Sequence, residues 1–539
     1  MTYFCYVSTF FKKTSTAFFY LIPAIILCGY YFYTSLFFEI HDFGNSYFAA
    51  RMLHDGTSLH QLYDIAAFNS YVWNLGYPDV LLDFYLNSPF TPVLFYPLAS
   101  IENVILAKAI FNGIGIVLFI AVLWSVGKNY LQKHPWLIAC VPILLWIPIR
   151  NQILFGQSYF IILALIYFAF HGLQKNKNVQ AAVLLSLAIL TKFFPAIYGL
   201  AWPLKNKWKA ILYGVVFSVV IITLGVWSTG AELWSYYFFD ALPQAIKTGS
   251  TVDYRVNYQS LDVFLKSVFV PDAYYNPEAL FDNERLYLAI LWLFKSLIVG
   301  SGLYLVLSKK RNLFTLLAIA VVMLFLIQSR SATYAQILWL IPLIVVWKYA
   351  DKPFLKMLFT VLILAIANLP FGKLSGFPIG IQFLRLWLFV VAGIVFYRSL
   401  SKEWSWKCIL YAIIVLSPLH TKVFAKMPSD SSSYVLSQKT HFMVTDFMVS
   451  DGKLAYQVLG KNGLELIITP IVVHSFNEDA VTIDKHELFL ANKNKLASLV
   501  PSLKKKAVLV NECEVYFLTD HNSRRGAFTL KKINICNLN

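Results

Sequence analysis

The chain has 539 residues, of which 58% are apolar, 17% are aromatic and only 14% are charged. Soluble domains carry about 25% charged residues. This composition therefore excludes an ordinary soluble protein and indicates a polytopic membrane protein. The net charge of +17 does not indicate nucleic-acid binding, because the cations stand at the ends of apolar runs in short loops, as they do in cytoplasmic loops of membrane proteins.

The first apolar run covers residues 17–38, and Lys12 and Lys13 precede it. About 20 residues suffice for a membrane-spanning helix, and the preceding cations predict a cytoplasmic N-terminus. The run is too long for a signal peptide, and no small-x-small cleavage site follows it. The sequence therefore predicts an uncleaved signal-anchor helix.

Apolar runs along residues 1–425 predict a helical membrane domain with 11–13 membrane segments. The number of segments depends on how 178–203 folds. Lys192 and the helix-breaking Pro195 interrupt this run and predict two half-helices that meet at a polar tip. The eleven uninterrupted runs are 17–38, 102–126, 135–150, 157–172, 208–228, 286–308, 312–328, 332–349, 353–370, 379–398 and 405–423.

This segmentation places most of the cations in short cytoplasmic loops. It leaves two long loops, 39–101 and 229–285, on the outer side with nearly all the acidic residues of the membrane domain. The predicted cytoplasmic cations are Lys128, Lys133, Lys175, Lys177, Lys205, Lys207, Lys209, Lys309, Lys310, Arg311, Lys348, Lys352, Arg398, Lys402 and Lys407.

After the last span, 426–433 reads as a polar linker and 434–539 has the composition of a soluble domain. Strand-like segments and one possible short helix at 493–503 predict a small α/β or α+β domain on the outer face. Cys513 and Cys536 either form a disulfide there or remain free thiols. The six cysteines show no metal-ligand spacing.

Asp42 directly follows the first span, in the sequence His41-Asp42-Phe43. A carboxylate at this position is tolerated in the aqueous boundary or in a polar cavity, so Asp42 is a candidate functional group. The apolar stripe that follows and Gly56 predict an amphipathic helix lying along the interface. Asp42 is then either the N-cap of that helix or a catalytic carboxylate, and the two roles do not exclude each other.

Other polar groups on the predicted outer side suit sugar hydroxyls or a phosphate. Two short stretches, 150–152 and 156–158, bracket a very short outer turn, where satisfaction of helix ends is an equally good explanation. Polarity is concentrated in these outer loops rather than at the four charges within spans (Lys108, Lys295, Lys356 and Arg385), which favours an interfacial enzyme over a transporter. The candidate substrate-binding residues are Arg150, Asn151, Gln157, Lys192, Arg255, Asn257, Gln259 and Arg330.

Four patterns occur in a characteristic order: Asp-Phe…Tyr…Ala…Leu…Gly after the first span, the Asn-Gln…Gly-Gln turn, the Lys-x-x-Pro break and Asn-x-Gln-Ser-Leu. Together they resemble glycosyltransferase family 87 over about residues 17–400. The resemblance implies a GT-C-type membrane transferase, many of which use polyprenyl-phosphate mannose as donor. It also implies that Asp42 is the general base. One departure is 329–336, where family members often carry a His and this chain has none.

The resemblance implies direct displacement at the anomeric carbon, with a base for the acceptor hydroxyl and cations for the departing phosphate. We expect inversion, a lipid or glycan acceptor, no cofactor and no obligatory metal, because no Asp-x-Asp motif appears in the expected place. We expect a multi-pass protein of a bacterial inner membrane. The alternatives are a lipid-linked sugar flippase or transporter, and a non-catalytic membrane protein that presents its C-terminal domain.

Overall fold

The structure is a computed structural model. It describes residues 19–416 apart from 64, 78–79, 81, 85–86, 243–257, 272–275, 277–278, 308–310, 375 and 402–405, together with a set of strands between 433 and 534. Residues 426–432 of the predicted linker lie outside the described residues. Cys513 and Cys536 lie outside them too.

Helices dominate the first 416 residues, and each predicted apolar run coincides with at least one of them. In chain order they are α1 (Ile22–Ser35), α2 (Phe43–His54), α3 (Ile65–Asn74), α4 (Thr91–Ala99), α5 (Val104–Asn129), α6 (Trp136–Leu144), α7 (Trp146–Phe155), α8 (Tyr159–Gln174), α9 (Asn178–Thr191), α10 (Ala196–Gly199), α11 (Trp208–Thr229), α12 (Ala231–Tyr236), α13 (Leu261–Phe269), α14 (Glu284–Leu307), α15 (Leu313–Ile327), α16 (Leu340–Tyr349), α17 (Pro353–Asn368), α18 (Ile379–Gln382), α19 (Leu384–Leu400) and α20 (Lys407–Leu416). Short 3₁₀ turns occupy Leu59–Tyr63, Pro203–Lys205, Thr333–Trp339 and Phe371–Leu374.

Three of the described helices, α5, α11 and α14, are long and apolar enough to cross a membrane, and the bent pair α6–α7 would make a fourth span. Several further apolar helices have 10–17 residues. The expected helical polytopic membrane protein is therefore confirmed. The total of 11–13 membrane segments stays a prediction, because the shorter helices do not reach the length of about 20 residues that a span needs.

The interrupted segment breaks at Lys192, as its sequence predicts, but the second half-helix is reduced to the four residues of α10 and a 3₁₀ turn. Helix α9 ends at Thr191, Lys192 takes an extended conformation, and α10 follows Pro195. The chain then returns, because Lys207 Nζ donates to Asn176 Oδ1 over 2.7 Å. The loops on either side of this pair therefore lie at the same end of the helix bundle.

The predicted cytoplasmic loops gather at that end, which we call the cation-rich end. Tyr130 Oη donates to Gln174 Oε1 over 2.7 Å, and Lys348 Nζ lies 5.0 Å from the centre of the Tyr130 ring. Arg311 Nη2 donates to the Leu400 carbonyl over 2.8 Å. Helices α5 and α8 lead from these loops to the opposite end of the bundle, where Asp42 lies.

The first long loop is folded rather than extended. Helix α2 begins after Asp42 and ends before Gly56, as the sequence predicts, and Gly56 has a left-handed φ of 67°. Its apolar side is buried with α3, α4 and the start of α5 around Phe48, Phe68 and Phe84, each at most 1% exposed. Burying each such ring contributes roughly 1.5–3 kcal/mol, so the loop forms a compact cap at the Asp42 end.

The described part of the C-terminal region consists of antiparallel strands. The sheet orders are β1-β11-β10-β9-β5, β2-β3-β4 and β6-β7-β8. The strands are β1 (Ser433–Tyr434), β2 (Met443–Ser450), β3 (Lys453–Gly460), β4 (Gly463–Pro470), β5 (Phe476–Asn477), β6 (Val481–Asp484), β7 (Glu487–Leu490), β8 (Lys495–Ser498), β9 (Ala507–Val510), β10 (Glu514–His521) and β11 (Arg524–Asn534).

The helix predicted at 493–503 is wrong in its described part, because Lys495–Ser498 pairs with β7. A short apolar segment does not distinguish helix from strand by its period alone, and pairing with a neighbouring strand decides its conformation. No helix occurs in the described part of 433–534. The α/β or α+β assignment is therefore replaced, for these residues, by antiparallel β structure.

Candidate functional site

A cavity of about 210 Å³ opens at the end of the bundle opposite the cation-rich end. The start of α2, the segment that leads into α4, the α7–α8 turn, the end of α9 and the loops at 258 and 330 form its walls. Its lining residues are Asp42, Asn45, Ser46, Asp83, Asn87, Thr91, Leu94, Phe95, Phe111, Gly156, Gln157, Ser158, Thr191, Lys192, Tyr258, Arg330 and Tyr334.

Asp42 stands at the N-cap position of α2, but its side chain caps no backbone amide of that helix. Its Oδ2 atom accepts a hydrogen bond of 2.5 Å from Gln157 Nε2, and its Oδ1 atom lies 3.3 Å from His41 Nδ1. The interpretation of Asp42 as a helix cap is therefore wrong. The carboxylate contacts side chains at the cavity and is 31% exposed there.

The backbone around Asp42 explains why it does not cap the helix. An N-cap residue normally has β-region dihedrals, which let its side chain reach the first free amides. Asp42 instead has φ −59° and ψ −23°, and the preceding His41 has a left-handed φ of 50°. The His41 ring stacks on Phe155 with 3.9 Å between the ring centres, which keeps the imidazole beside the carboxylate.

Gly156 allows the α7–α8 turn to approach the start of α2. It has a φ of 65°, and a Cβ built on it would lie 2.6 Å from Phe43 Cβ. Carbon atoms normally make contact at about 3.5–4.0 Å. Glycine at this position therefore lets Gln157 reach Asp42.

The surroundings of Asp42 favour its ionised form. Burial raises the pKa of this carboxyl group. The hydrogen bond and charge of His41, the hydrogen bond from Gln157 and the charge of Lys192 lower the pKa by more than burial raises it. The net result is a pKa below the usual Asp value. Asp42 is therefore an ionised carboxylate at neutral pH, in the form that can accept a proton.

Two cations, Lys192 and Arg330, line the same cavity. Lys192 Nζ lies 5.4 Å from the centre of the Tyr159 ring, and the Arg330 guanidinium lies 5.3 Å from that of Tyr258. A cation that faces an aromatic ring is attracted by the electron density of that ring. These contacts orient both cations in the cavity wall.

Hydrogen bonds between elements distant in sequence fix the loops that carry the cations. Ser88 Oγ donates to the Leu190 carbonyl over 2.7 Å, which joins the entry to α4 to the end of α9. The Ser331 amide donates to the Tyr258 carbonyl over 3.0 Å, and Ser260 Oγ donates to the Ser329 carbonyl over 2.7 Å. The cavity is therefore assembled from at least four separate parts of the chain.

The structure brings Asp42, Gln157, Lys192 and Arg330 together, but not all the other candidates. Arg150 and Asn151 lie inside α7, where Arg150 Nη1 donates to Asn151 Oδ1 over 3.4 Å, and neither lines the cavity. The predicted short outer turn around them is wrong, because the helix continues to Phe155 and only 156–158 forms the turn.

Two further candidates, Arg255 and Asn257, lie outside the described residues. The buried Gln259 is placed away from the cavity lining. Its Nε2 donates to the Gln382 carbonyl over 2.8 Å, and the Arg385 amide donates to its Oε1 over 3.1 Å. Its side-chain amide thus joins the 258–260 loop to the start of α19.

The cavity lining also includes residues that were not among the predicted site residues, above all Asp83, Asn45, Tyr258 and Tyr334. Tyr258 lies in the polar stretch 255–261, and Tyr334 lies in the 329–336 segment that lacks a histidine. The polar stretch was the sequence signal for Tyr258, and the departure in the 329–336 segment was the signal for Tyr334. The His41 imidazole lies beside Asp42. Among the described residues, no cluster of three or more His, Cys, Asp or Glu side chains could hold a metal ion.

The helical membrane fold thus carries a cavity lined by carboxylates, amides and cations at one end of its bundle. Residues 85–329 match the family model of Glycosyltransferase family 87, which confirms the resemblance and assigns this region to that family. This match supports a glycosyltransferase activity for the matched region of this helical membrane protein. The matched region contains Gln157 and Lys192 and begins after Asp42. A search of curated proteins finds no match for the chain.

Proposed function

We propose that the protein transfers a sugar, with mannose as the first candidate, from a polyprenyl-phosphate donor to a lipid or glycan acceptor. The observation that carries this proposal is the placement of an ionised Asp42 in one cavity with Lys192 and Arg330. A carboxylate supplies a general base, and two cations suit a phosphate leaving group.

The proposed reaction is a direct displacement at the anomeric carbon. The acceptor oxygen forms a bond to this carbon as the bond from the carbon to the phosphate oxygen breaks. Asp42 takes the proton of the acceptor hydroxyl, and the phosphate leaves with the bonding electron pair beside Lys192 and Arg330. One displacement from the opposite face inverts the configuration. These steps require neither a nucleotide nor a metal.

The position of the cavity supports the lipid part of the proposed donor. The cations lie at the end of a bundle of apolar helices, where a phosphate would lie at headgroup level with its polyprenyl tail in the bilayer. The cation-rich end would face the cytoplasm by the positive-inside rule. The cavity, the two long loops and the C-terminal domain would then lie on the outer face of a bacterial inner membrane.

The test is transfer of label from polyprenyl-phosphate mannose to glycolipid or glycan, in membranes that contain the protein. Asp42→Asn preserves the size of the side chain and its capacity to accept from Gln157 but removes the base. We expect a loss of about 100-fold or more in a protein that is still folded and inserted in the membrane. Asp351→Asn, which alters an exposed carboxylate between α16 and α17, is the matched control and should leave transfer unchanged.

Each alternative predicts a different result. A flippase or transporter would keep its activity in Asp42→Asn and lose it when charges within spans, such as Lys108 and Lys295, are replaced. A non-catalytic protein that presents its C-terminal domain would tolerate both changes but not truncation at the linker. Substantial transfer by Asp42→Asn would refute the assignment of the base.

A further inference from the structure

One wall of the cavity comes entirely from the first long loop and carries a second carboxylate. Asp83 lies in the segment that leads to α4, and its neighbours in the cavity lining include Asn45, Asn87 and Thr91. The cations that line the cavity come instead from the end of α9 and from the 330 loop. We call the set of Asn45, Ser46, Asp83, Asn87 and Thr91 the first-loop wall.

Backbone hydrogen bonds fix the position of Asp83. Its amide donates to Asn45 Oδ1 over 2.8 Å. The adjacent Leu82 is held by the buried Asn69, whose Nδ2 donates to the Leu82 carbonyl over 2.8 Å and whose Oδ1 accepts from the Leu82 amide over 2.7 Å. These bonds hold the backbone of 82–83 at the cavity.

The chemistry of the first-loop wall suits a neutral, hydroxylated ligand. A carboxylate accepts hydrogen bonds, a side-chain amide both donates and accepts, and a hydroxyl does the same. The lining residues of this wall include no cation, and the charge of Asp83 would repel a phosphate. The phosphate is therefore expected at Lys192 and Arg330, with the hydroxyl groups of a sugar ring at the first-loop wall.

We infer that Asp83 binds the hydroxyl groups of a sugar ring in this cavity. This inference rests on the proposed function, because that function supplies the sugar. The ring can belong to the donor or to the acceptor, since both carry neighbouring hydroxyls. A site that hydrogen-bonds a substrate hydroxyl discriminates strongly against a ligand that lacks it, because its polar groups are then left unpaired.

The test uses the full-length protein in detergent and three measurements on wild type, Asp83→Asn and Asp83→Ala. These are the Kd for polyprenyl phosphate, the Kd for polyprenyl-phosphate mannose, and the KM for a glycolipid acceptor fraction in the transfer assay. The polyprenyl phosphate has no sugar and reports the phosphate contacts alone. Asp351→Asn is again the matched control, and thermal unfolding confirms that each variant is folded.

If Asp83 binds the donor sugar, both variants should weaken binding of polyprenyl-phosphate mannose by about 10- to 100-fold and leave the Kd for polyprenyl phosphate unchanged. If it binds the acceptor, the acceptor KM should rise by a similar factor with both Kd values unchanged. Either result supports the inference.

Equal weakening of all three quantities, or no change in any of them, would overturn the inference and leave the proposed function in place. Failure of the wild-type protein to bind or use any polyprenyl-phosphate sugar would instead refute the proposed function, and the role of Asp83 with it. The wild-type measurement therefore separates the two failures.

Discussion

Gly156 lets the α7–α8 turn approach the start of α2 in the candidate site, and replacing this glycine tests the assembly of the site. Gly156→Ala adds a methyl group that would lie 2.6 Å from Phe43 Cβ. Phe43 cannot rotate away from this contact, because the contacted atom is its Cβ. Its ring is also buried against Phe95 and Phe111, with 6.3 Å and 5.5 Å between ring centres.

The size of the effect follows from two separate terms. A left-handed φ costs an L-residue about 1–2 kcal/mol, and this term lowers the stability of the protein. The steric overlap requires the turn to move by about 1 Å to restore an ordinary carbon contact. A displacement of this size at a catalytic group can lower the rate by about 100-fold. Gly156→Ala should therefore reduce kcat far more than its loss of stability alone would suggest.

Gly56→Ala is the matched control for the backbone term. Gly56 has a φ of 67°, close to the 65° of Gly156, but no atom lies within 4 Å of a Cβ built on it. Gly56→Ala should lose only the stability that the backbone term costs, whereas Gly156→Ala should lose at least as much, and only Gly156→Ala should lose transfer activity. The assay is transfer of labelled mannose from polyprenyl-phosphate mannose at saturating donor. Equal kcat values for the two variants would refute the reasoning.

Two further predictions concern the groups that hold the site. The pKa of Asp42 is lowered, so the acid limb of kcat/KM against pH should lie below the usual Asp value of about 3.9. The stability that ionised Asp42 contributes should be present above that value and should be lost as pH falls through the folded pKa. Gln157→Leu removes a hydrogen bond to the ionised form, so the limb should move to higher pH, and an unmoved limb would contradict this cause. Gln259→Leu leaves the Gln382 carbonyl and the Arg385 amide without their side-chain partner, at about 1–3 kcal/mol each. It should therefore lower the thermal unfolding temperature, and an unchanged temperature would show that the 258–260 loop is held by other contacts.

Several features followed from sequence alone because they depend on local pattern and on the membrane. Apolar runs defined the helices, since a span must satisfy its own backbone and present apolar side chains to lipid. The distribution of Lys and Arg separated the loops into two sets, and the structure gathers the predicted cytoplasmic set at one end. Lys192 and Pro195 marked the break after α9, because proline cannot continue a helix. Asp42 stood out because a carboxylate next to an apolar span is costly unless it has a polar environment.

The tertiary structure decided what local pattern could not specify. Asp42 occupies an N-cap position in the sequence, yet its carboxylate turns to Gln157 and His41, because His41 is left-handed and Gly156 allows the α7–α8 turn to approach. Arg150 and Gln157 looked equivalent as polar groups near one turn, but only Gln157 lines the cavity, since α7 continues through Arg150. Asp83 lines the same cavity as Asp42 because the Asn69 and Asn45 side chains hydrogen-bond the backbone of residues 82–83. Sequence spacing does not reveal this contact between segments. Sequence thus predicted a helical membrane protein and singled out one carboxylate, while long-range packing determined which residues share the cavity with it.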